Sequence, residues 1–132
     1  MITIDQYFQA KPHTDEQEDA AVELLERVEN LCTTVAWDFP IDPDTGTAIS
    51  GSKGGSGDGG FRLTTATTGS ARSSHKEAKA VDLYDPKNEL DDLITDALLS
   101  AYNLYREHPD DTPGWCHLTT RAPGSGRRTF KP

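Results

Sequence analysis

The chain has 132 residues, of which 34% are hydrophobic and 27% charged, and a formal net charge of -9. This length suits a single domain, spanning residues 1–132, that buries a modest core without disulfide bonds. Two cysteines, Cys32 and Cys116, are too few for a disulfide framework and lack the paired spacing of a cysteine zinc site. We therefore interpret both as reduced and structural.

The charge and the apolar pattern exclude two classes of partner. A negative protein is repelled by a phosphate backbone, so nucleic-acid binding is not expected. No apolar run reaches the ~20 residues needed to cross a bilayer, so membrane insertion is not expected either. The first residues lack the basic start and apolar core of a secretory signal, which predicts a location in the cytoplasm.

The predicted elements, in chain order, begin with an amphipathic helix over residues 14–32. Its apolar residues recur every three or four positions, and acidic residues crowd its first turn. A second helix is predicted over residues 86–107, with Asp85 as its cap and Pro86 in its first turn. Strands are predicted at residues 34–39, 61–65, 80–84 and 114–119. Two helices and several separated short strands predict an α+β domain.

Two segments lack the pattern of a helix or strand. Residues 51–60, GSKGGSGDGG, are predicted to form a mobile loop, and they have neither the G-K-[ST] ending of a P-loop nor spaced glycines followed by a helix. The C-terminal tail, residues 120–132, carries the chain's one basic cluster. We interpret this basic tail as a solvated end that pairs with acidic surface.

The residues that can bind a metal or take part in catalysis lie in two short stretches. In RSSHKEAKAVDLYDP, His75 and Asp82 are seven residues apart, and Asp82 lies on an apolar strand where a carboxylate needs a partner. In WCHL, Trp115 and His117 point to the same face of a strand. Two histidines and one carboxylate can bind zinc and leave the fourth position open for water, which is the catalytic arrangement. The alternative is that each histidine is an ordinary hydrogen-bonded side chain.

These stretches match a known pattern. Ser73, His75, Ala80 and Asp82 fit S-x-H-x-x-G-x-A-x-D, and Trp115 with His117 fits a following aromatic-x-H strand. The pattern resembles that of the LAS metallopeptidases, which include D-alanyl-D-alanine carboxypeptidases, phage L-alanyl-D-glutamate endolysins and the hedgehog signalling domain. The resemblance implies a small antiparallel sheet flanked by helices, of the hedgehog/DD-peptidase kind, and zinc bound by His75, Asp82 and His117.

Further roles follow from the same resemblance. Phe61 and Arg62 look like the family's aromatic-arginine pair, which implies that Arg62 contacts substrate and the developing oxyanion. Ser73 is expected to line the pocket, and Trp115 is expected in the core or the pocket wall. The implied substrates are peptidoglycan peptides. The opening I-T-I-D-x-Y and the C-terminal residues are similar to small phage-encoded members, which implies a phage source and a place in the host cytoplasm or the virion.

The chain departs from this pattern at two positions. Ala78 replaces the family's glycine, which is tolerable at ordinary backbone angles and harmful at positive φ. Gly114 stands where many members carry the glutamate or aspartate that acts as general base, and Thr119 stands where another branch has an aspartate. Asp111 is the first candidate to replace that base, ahead of three other residues of the same acidic segment, Asp110, His108 and Glu107. The alternative is that this segment is only a solvated connection.

Two functions therefore stand open. The first is a zinc peptidase that acts on bacterial cell-wall peptides as a DD-carboxypeptidase or an endopeptidase. The second is a non-catalytic zinc-binding module, with a degenerate site, that belongs to a phage virion or binds the wall and contacts other virion proteins. Gly114 and the missing secretion signal favour the second function. A third interpretation is that the motif is accidental and no metal binds.

Overall fold

The computed structural model of the protein describes residues 1–51, 59–65 and 73–132. Within them the chain forms an α+β fold, as predicted. The helices are α1 (Ile4–Phe8), α2 (Asp15–Thr34), α3 (Glu89–Leu93) and α4 (Asp96–Ala101), and the strands are β1 (Ala80–Tyr84), β2 (Tyr105–Glu107), β3 (Trp115–Thr119) and β4 (Thr129–Phe130). None of the helices in the described ranges is long and apolar enough to cross a membrane.

The first long helix lies where its caps and periodicity predict it. Thr14 and Gln17 form a capping box at the start of α2, so two of the free N–H groups there are satisfied. The buried face consists of Ala21, Leu24, Leu25, Val28, Leu31 and Cys32. Val22, an apolar residue of the same helix, is 48% exposed and lies off this face.

The prediction of one helix over residues 86–107 is wrong. The chain is extended at Ile94 and Thr95, which separates α3 from α4, and Asn103 has a left-handed φ of 52° that ends the helical path. Residues 105–107 form strand β2 instead. Asp85 still acts as a cap at a distance, because its buried carboxylate accepts hydrogen bonds from the backbone N–H groups of Leu90 and Asp91.

The sheet has the order β1-β3-β2-β4. The β1–β3 and β3–β2 pairs are antiparallel, but β4 runs parallel to β2, so the sheet is mixed rather than the antiparallel one expected. Alternate residues of β1 and β3 face opposite sides, as in any strand. On one side Val81, Leu83, Cys116 and Leu118 join the buried cluster that includes the α2 residues, which leaves the other side of the sheet for the site.

Other segments either differ from their predicted structure or lie outside the described residues. Residues 34–39 and 61–65 are not strands, since α2 continues to Thr34 and the chain then turns through left-handed Ala36 and Phe39. The tail at residues 120–132 is more than a solvated end, because β4 pairs with β2 in the sheet. Most of the predicted mobile loop, residues 52–58, lies outside the described residues.

Candidate metal centre

Three predicted ligands meet on the side of the sheet away from the core. His75 lies in a single 3-10 turn, Ser74–Glu77, while Asp82 and His117 are direct partners in the β1–β3 register. One potential ligand atom from each residue lies within 4.8 Å of the other two. The prediction that these side chains converge is confirmed, and together they form a group that can hold a metal ion.

The distances fit a metal with short bonds. Asp82 Oδ1 is 2.8 Å from His117 Nδ1 and 3.4 Å from His75 Nε2. Ligand atoms at ~2.0–2.1 Å around tetrahedral zinc are ~3.3 Å apart, so only small side-chain shifts are needed. The site is shielded, since the side chains of His75, Asp82 and His117 are 4%, 12% and 14% exposed.

A backbone carbonyl fixes the imidazole of His75. Its Nδ1 donates a hydrogen bond to the Gly60 carbonyl oxygen over 2.9 Å. Because a carbonyl can only accept, Nδ1 carries the proton and Nε2 is the atom that faces Asp82. Metal-binding histidines are commonly held in this way.

The glycine segment that supplies this carbonyl, Gly59 and Gly60, is held by close backbone contacts. Asp82 donates its backbone N–H to the Gly59 carbonyl over 2.8 Å, and Phe61 donates its own to the Tyr7 carbonyl over 3.1 Å. A Cβ at Gly59 would lie 2.2 Å from the Ser50 carbonyl oxygen, and one at Gly60 would lie 2.5 Å from that of Tyr7. Only glycine therefore allows this approach of backbone to backbone.

The three ligands influence one another's proton affinities. Burial lowers the pKa of His75, which favours the neutral, metal-binding form. Burial alone would raise the pKa of Asp82, but the interaction with the neighbouring His75 and the hydrogen bond from His117 hold that pKa well below its usual range. Burial alone would lower the pKa of His117, yet the bond to Asp82 and the charges of Asp82 and Glu107 raise it.

These directions predict how metal binding depends on pH. Asp82 is held in its ionised form and His75 in its neutral form, so a proton on His117 is the one that a metal must displace. Because the pKa of His117 is raised, metal affinity is expected to fall as the pH drops through that pKa, by up to about tenfold per pH unit for one displaced proton. Calorimetric metal titrations between about pH 8 and pH 6 measure this, and an affinity that does not change with pH would contradict it.

A cavity of about 560 Å³ opens over the three ligands. Arg62, Ser73 and Trp115 line it, and Arg62 Nη2 lies 3.7 Å from Asp82 Oδ2. The guanidinium thus places a fixed cation beside the metal ligands. The substrate contact expected of Arg62 stays a prediction.

Asp111, the first candidate for a base, is not among the residues that line the cavity. Its carboxylate lies 3.6 Å from the ammonium group of Lys131. Glu107, on β2, does line the cavity. Burial raises the pKa of Glu107; His117 opposes this shift, and Asp82 and Asp111 add to it.

Sequence reasoning missed other residues of the wall. Arg121 lines the cavity from the tail, where it pairs with Glu77 over 3.3 Å. Phe130, on β4, stands edge-on to the His117 ring with the ring centres 6.2 Å apart. The sequence predicts a solvated tail, and a two-residue strand has no periodicity from which a strand could be predicted instead.

The backbone is left-handed at both positions where the chain departs from the LAS pattern, Ala78 and Gly114. Ala78 has φ 59° and its methyl group is fully buried, a conformation that costs a residue with a side chain roughly 1–2 kcal/mol. Gly114 has φ 93°, with no atom within 4 Å of where a Cβ would lie. A carboxylate side chain at position 114 would find space but would strain the backbone.

No family model, curated protein or solved structure matches this chain. The assignment of a function therefore depends on the residues and geometry described above.

Proposed function

We propose that the protein is a zinc-dependent peptidase that acts on bacterial peptidoglycan peptides. The observation that carries this proposal is the convergence of His75, Asp82 and His117 at the floor of an open cavity. A structural zinc site is closed by four protein ligands, whereas a catalytic one has three and an open position. In the described residues the group has three ligands, and the space above them is large enough for a peptide.

The donor set supports zinc, with iron(II) as its competitor. Two imidazole nitrogens and one carboxylate oxygen suit zinc, but the same set also occurs in non-haem iron(II) sites. Ligand atoms 2.8 and 3.4 Å apart fit tetrahedral zinc and an octahedral iron(II) site alike, so the likeness to the LAS pattern is what favours zinc. A bound zinc ion would polarise a substrate carbonyl and lower the pKa of its water.

The residues around the ligands suit hydrolysis of a peptide bond. Arg62 is 12% exposed and stands beside Asp82, so its charge is little screened by solvent. A fixed cation of this kind stabilises the negative charge that develops on a carbonyl oxygen under attack. Trp115 and Ser73 supply an apolar wall and a hydroxyl group for substrate.

The experiment is digestion of purified peptidoglycan by zinc-loaded protein. We expect soluble peptides to be released, a chelator to stop the release, and added zinc to restore it. Arg62→Gln is expected to retain zinc and to lose about 10²- to 10³-fold in rate, as for removal of one oxyanion-stabilising group. Zinc-loaded wild-type protein that releases nothing would overturn the proposed activity.

A second candidate has one observation in its favour. Gly114 occupies the position where many LAS members carry their base, which suggests a non-catalytic zinc-binding module of a phage virion or a wall-binding protein. This candidate predicts bound zinc, no peptide release and stable association with purified virions. Retention of the protein in virions after a salt wash, together with inert zinc-loaded protein, would replace the first proposal with this one.

A further inference from the structure

We infer that Glu107 is the general base of this cavity and takes the role that the LAS pattern gives to position 114. The inference rests on the proposed function, because a general base has meaning only for a hydrolase. It differs from the LAS pattern in placing the carboxylate on the neighbouring strand β2 instead of before β3.

The sheet brings Glu107 to the metal ligands. Tyr105 pairs with Thr119 and Arg106 with Leu118, so Glu107 is the next residue of β2 in the direction of His117. Arg106 points to the core side, where it is 8% exposed and contacts Asp91. Because alternate residues face opposite sides, Glu107 faces the side that carries the site.

The residues of that side agree with this placement. The cavity is lined by Trp115, His117 and Thr119 from β3, by Asp82 from β1 and by Glu107 from β2. Glu107 is thus the strand β2 residue that shares a surface with all three ligands. It is half-buried, so its carboxylate is reachable from the cavity but partly shielded from bulk water.

The other carboxylates near the site are engaged elsewhere. Among the described residues that line the cavity, Asp82 and Glu107 carry the side-chain carboxylates, and Asp82 is held by both histidines. Asp110 is 76% exposed and pairs with His108, and Asp111 pairs with Lys131. In the described part of the chain the carboxylate of Glu107 has no hydrogen-bond or ion-pair partner, so its oxygens are available to accept a proton.

Glu107 can both accept and return the one proton that hydrolysis transfers. Its carboxylate takes one proton from water as the water oxygen attacks the carbonyl carbon of the scissile peptide bond. The C–N bond then breaks, and Glu107 returns that proton to the leaving amine. The acyl fragment has gained the hydroxyl group of water, the amine has gained its proton, and Glu107 is again ionised.

The test compares Glu107→Gln with Asp111→Asn, a neighbouring carboxylate that does not line the cavity. Glutamine keeps the size of the side chain and cannot accept a proton. We expect both variants to bind one zinc per chain, and we expect peptide release to fall about 10²- to 10⁴-fold in E107Q and to stay within about threefold in D111N. Loss of zinc from E107Q would overturn the inference, because Glu107 would then be a ligand or a structural residue.

A second readout does not depend on activity. Acetohydroxamic acid binds to metal sites as its anion and gives up a proton, which the base can hold in a hydrogen bond. We expect E107Q to bind acetohydroxamate about 10- to 100-fold more weakly than wild type, and D111N to bind it as wild type does. Equal affinities in E107Q and wild type would overturn the inference. If wild-type protein releases no peptide, the proposed function fails, while this measurement still decides whether Glu107 accepts the proton.

A folding control accompanies both readouts. Thermal unfolding of zinc-free E107Q and wild type is compared first. If E107Q does not fold, Glu107→Ser replaces it, and the same losses of peptide release and of acetohydroxamate affinity are expected.

Discussion

Replacing His117 with alanine is expected to reduce zinc affinity by more than the ~100-fold that loss of a supporting hydrogen bond can cost. The variant loses one of three ligands, and it also leaves the buried carboxylate of Asp82 without its 2.8 Å partner. The zinc-loaded wild type gains about 2.7 kcal/mol of stability when zinc is present at 100 times its dissociation constant, and H117A should gain almost none. Thermal unfolding with and without zinc measures both effects.

His108→Ala is the matched control for this experiment. His108 lies at the end of β2, its side chain is 38% exposed, and its partner is Asp110 on the surface. We expect H108A to keep the zinc-induced stabilisation of the wild type. Equal stabilisation of H117A and wild type by zinc would show that the metal binds elsewhere.

Replacing Gly60 with alanine is expected to damage both the fold and the metal centre. The new Cβ would lie 2.5 Å from the Tyr7 carbonyl oxygen, so the backbone must move, and forced packing of this kind costs about 1–3 kcal/mol. The movement displaces the carbonyl that orients His75, and loss of such support lowers metal affinity about 10- to 100-fold. Denaturant unfolding of zinc-free protein and zinc titration measure the two effects separately.

Gly124→Ala controls for the change of glycine to alanine. Gly124 lines the cavity, and no atom lies within 4 Å of the position of a Cβ there. We expect G124A to keep wild-type stability within about 0.5 kcal/mol and wild-type zinc affinity. If G60A matched G124A in both measurements, the close contacts of the glycine segment would have no role in positioning His75.

The Gly60 contact also explains how the start of the chain supports the site. Tyr7 lies in α1 and is fully buried, and its hydroxyl group donates a hydrogen bond to the Ala80 carbonyl over 2.8 Å. Its own carbonyl accepts from Phe61, next to Gly60. One residue of α1 therefore holds both the glycine segment and the first residue of β1, the strand that carries Asp82.

Local patterns were sufficient to predict parts of the fold. Helix α2 could be predicted because Thr14 and Gln17 mark its start and its apolar spacing is regular. Strands β1 and β3 could be predicted because apolar and β-favouring residues are concentrated in them. The convergence of Asp82 with His117 followed from one assumption, that these two strands pair, and the register confirms it.

The prediction of a helix at residues 105–107 fails because of long-range hydrogen bonds. Residues 105–107 follow apolar residues with helical spacing, yet Arg106 donates its backbone N–H to the Arg128 carbonyl and pairs with Leu118 across the sheet. The same limit applies to the lining of the cavity. Asp111 is nearer to β3 along the chain, but Glu107 lines the cavity because β2 pairs with β3, and no local pattern in the sequence reports that pairing.

The central claim is that His75, Asp82 and His117 hold one zinc ion, and calorimetric titration of metal-free protein with zinc tests it most directly. We predict one zinc per chain in the wild type, complete loss on chelation, and greatly weakened binding in both His75→Ala and Asp82→Asn. Wild-type protein that takes up no zinc, or variants that bind it as tightly as wild type, would contradict the account.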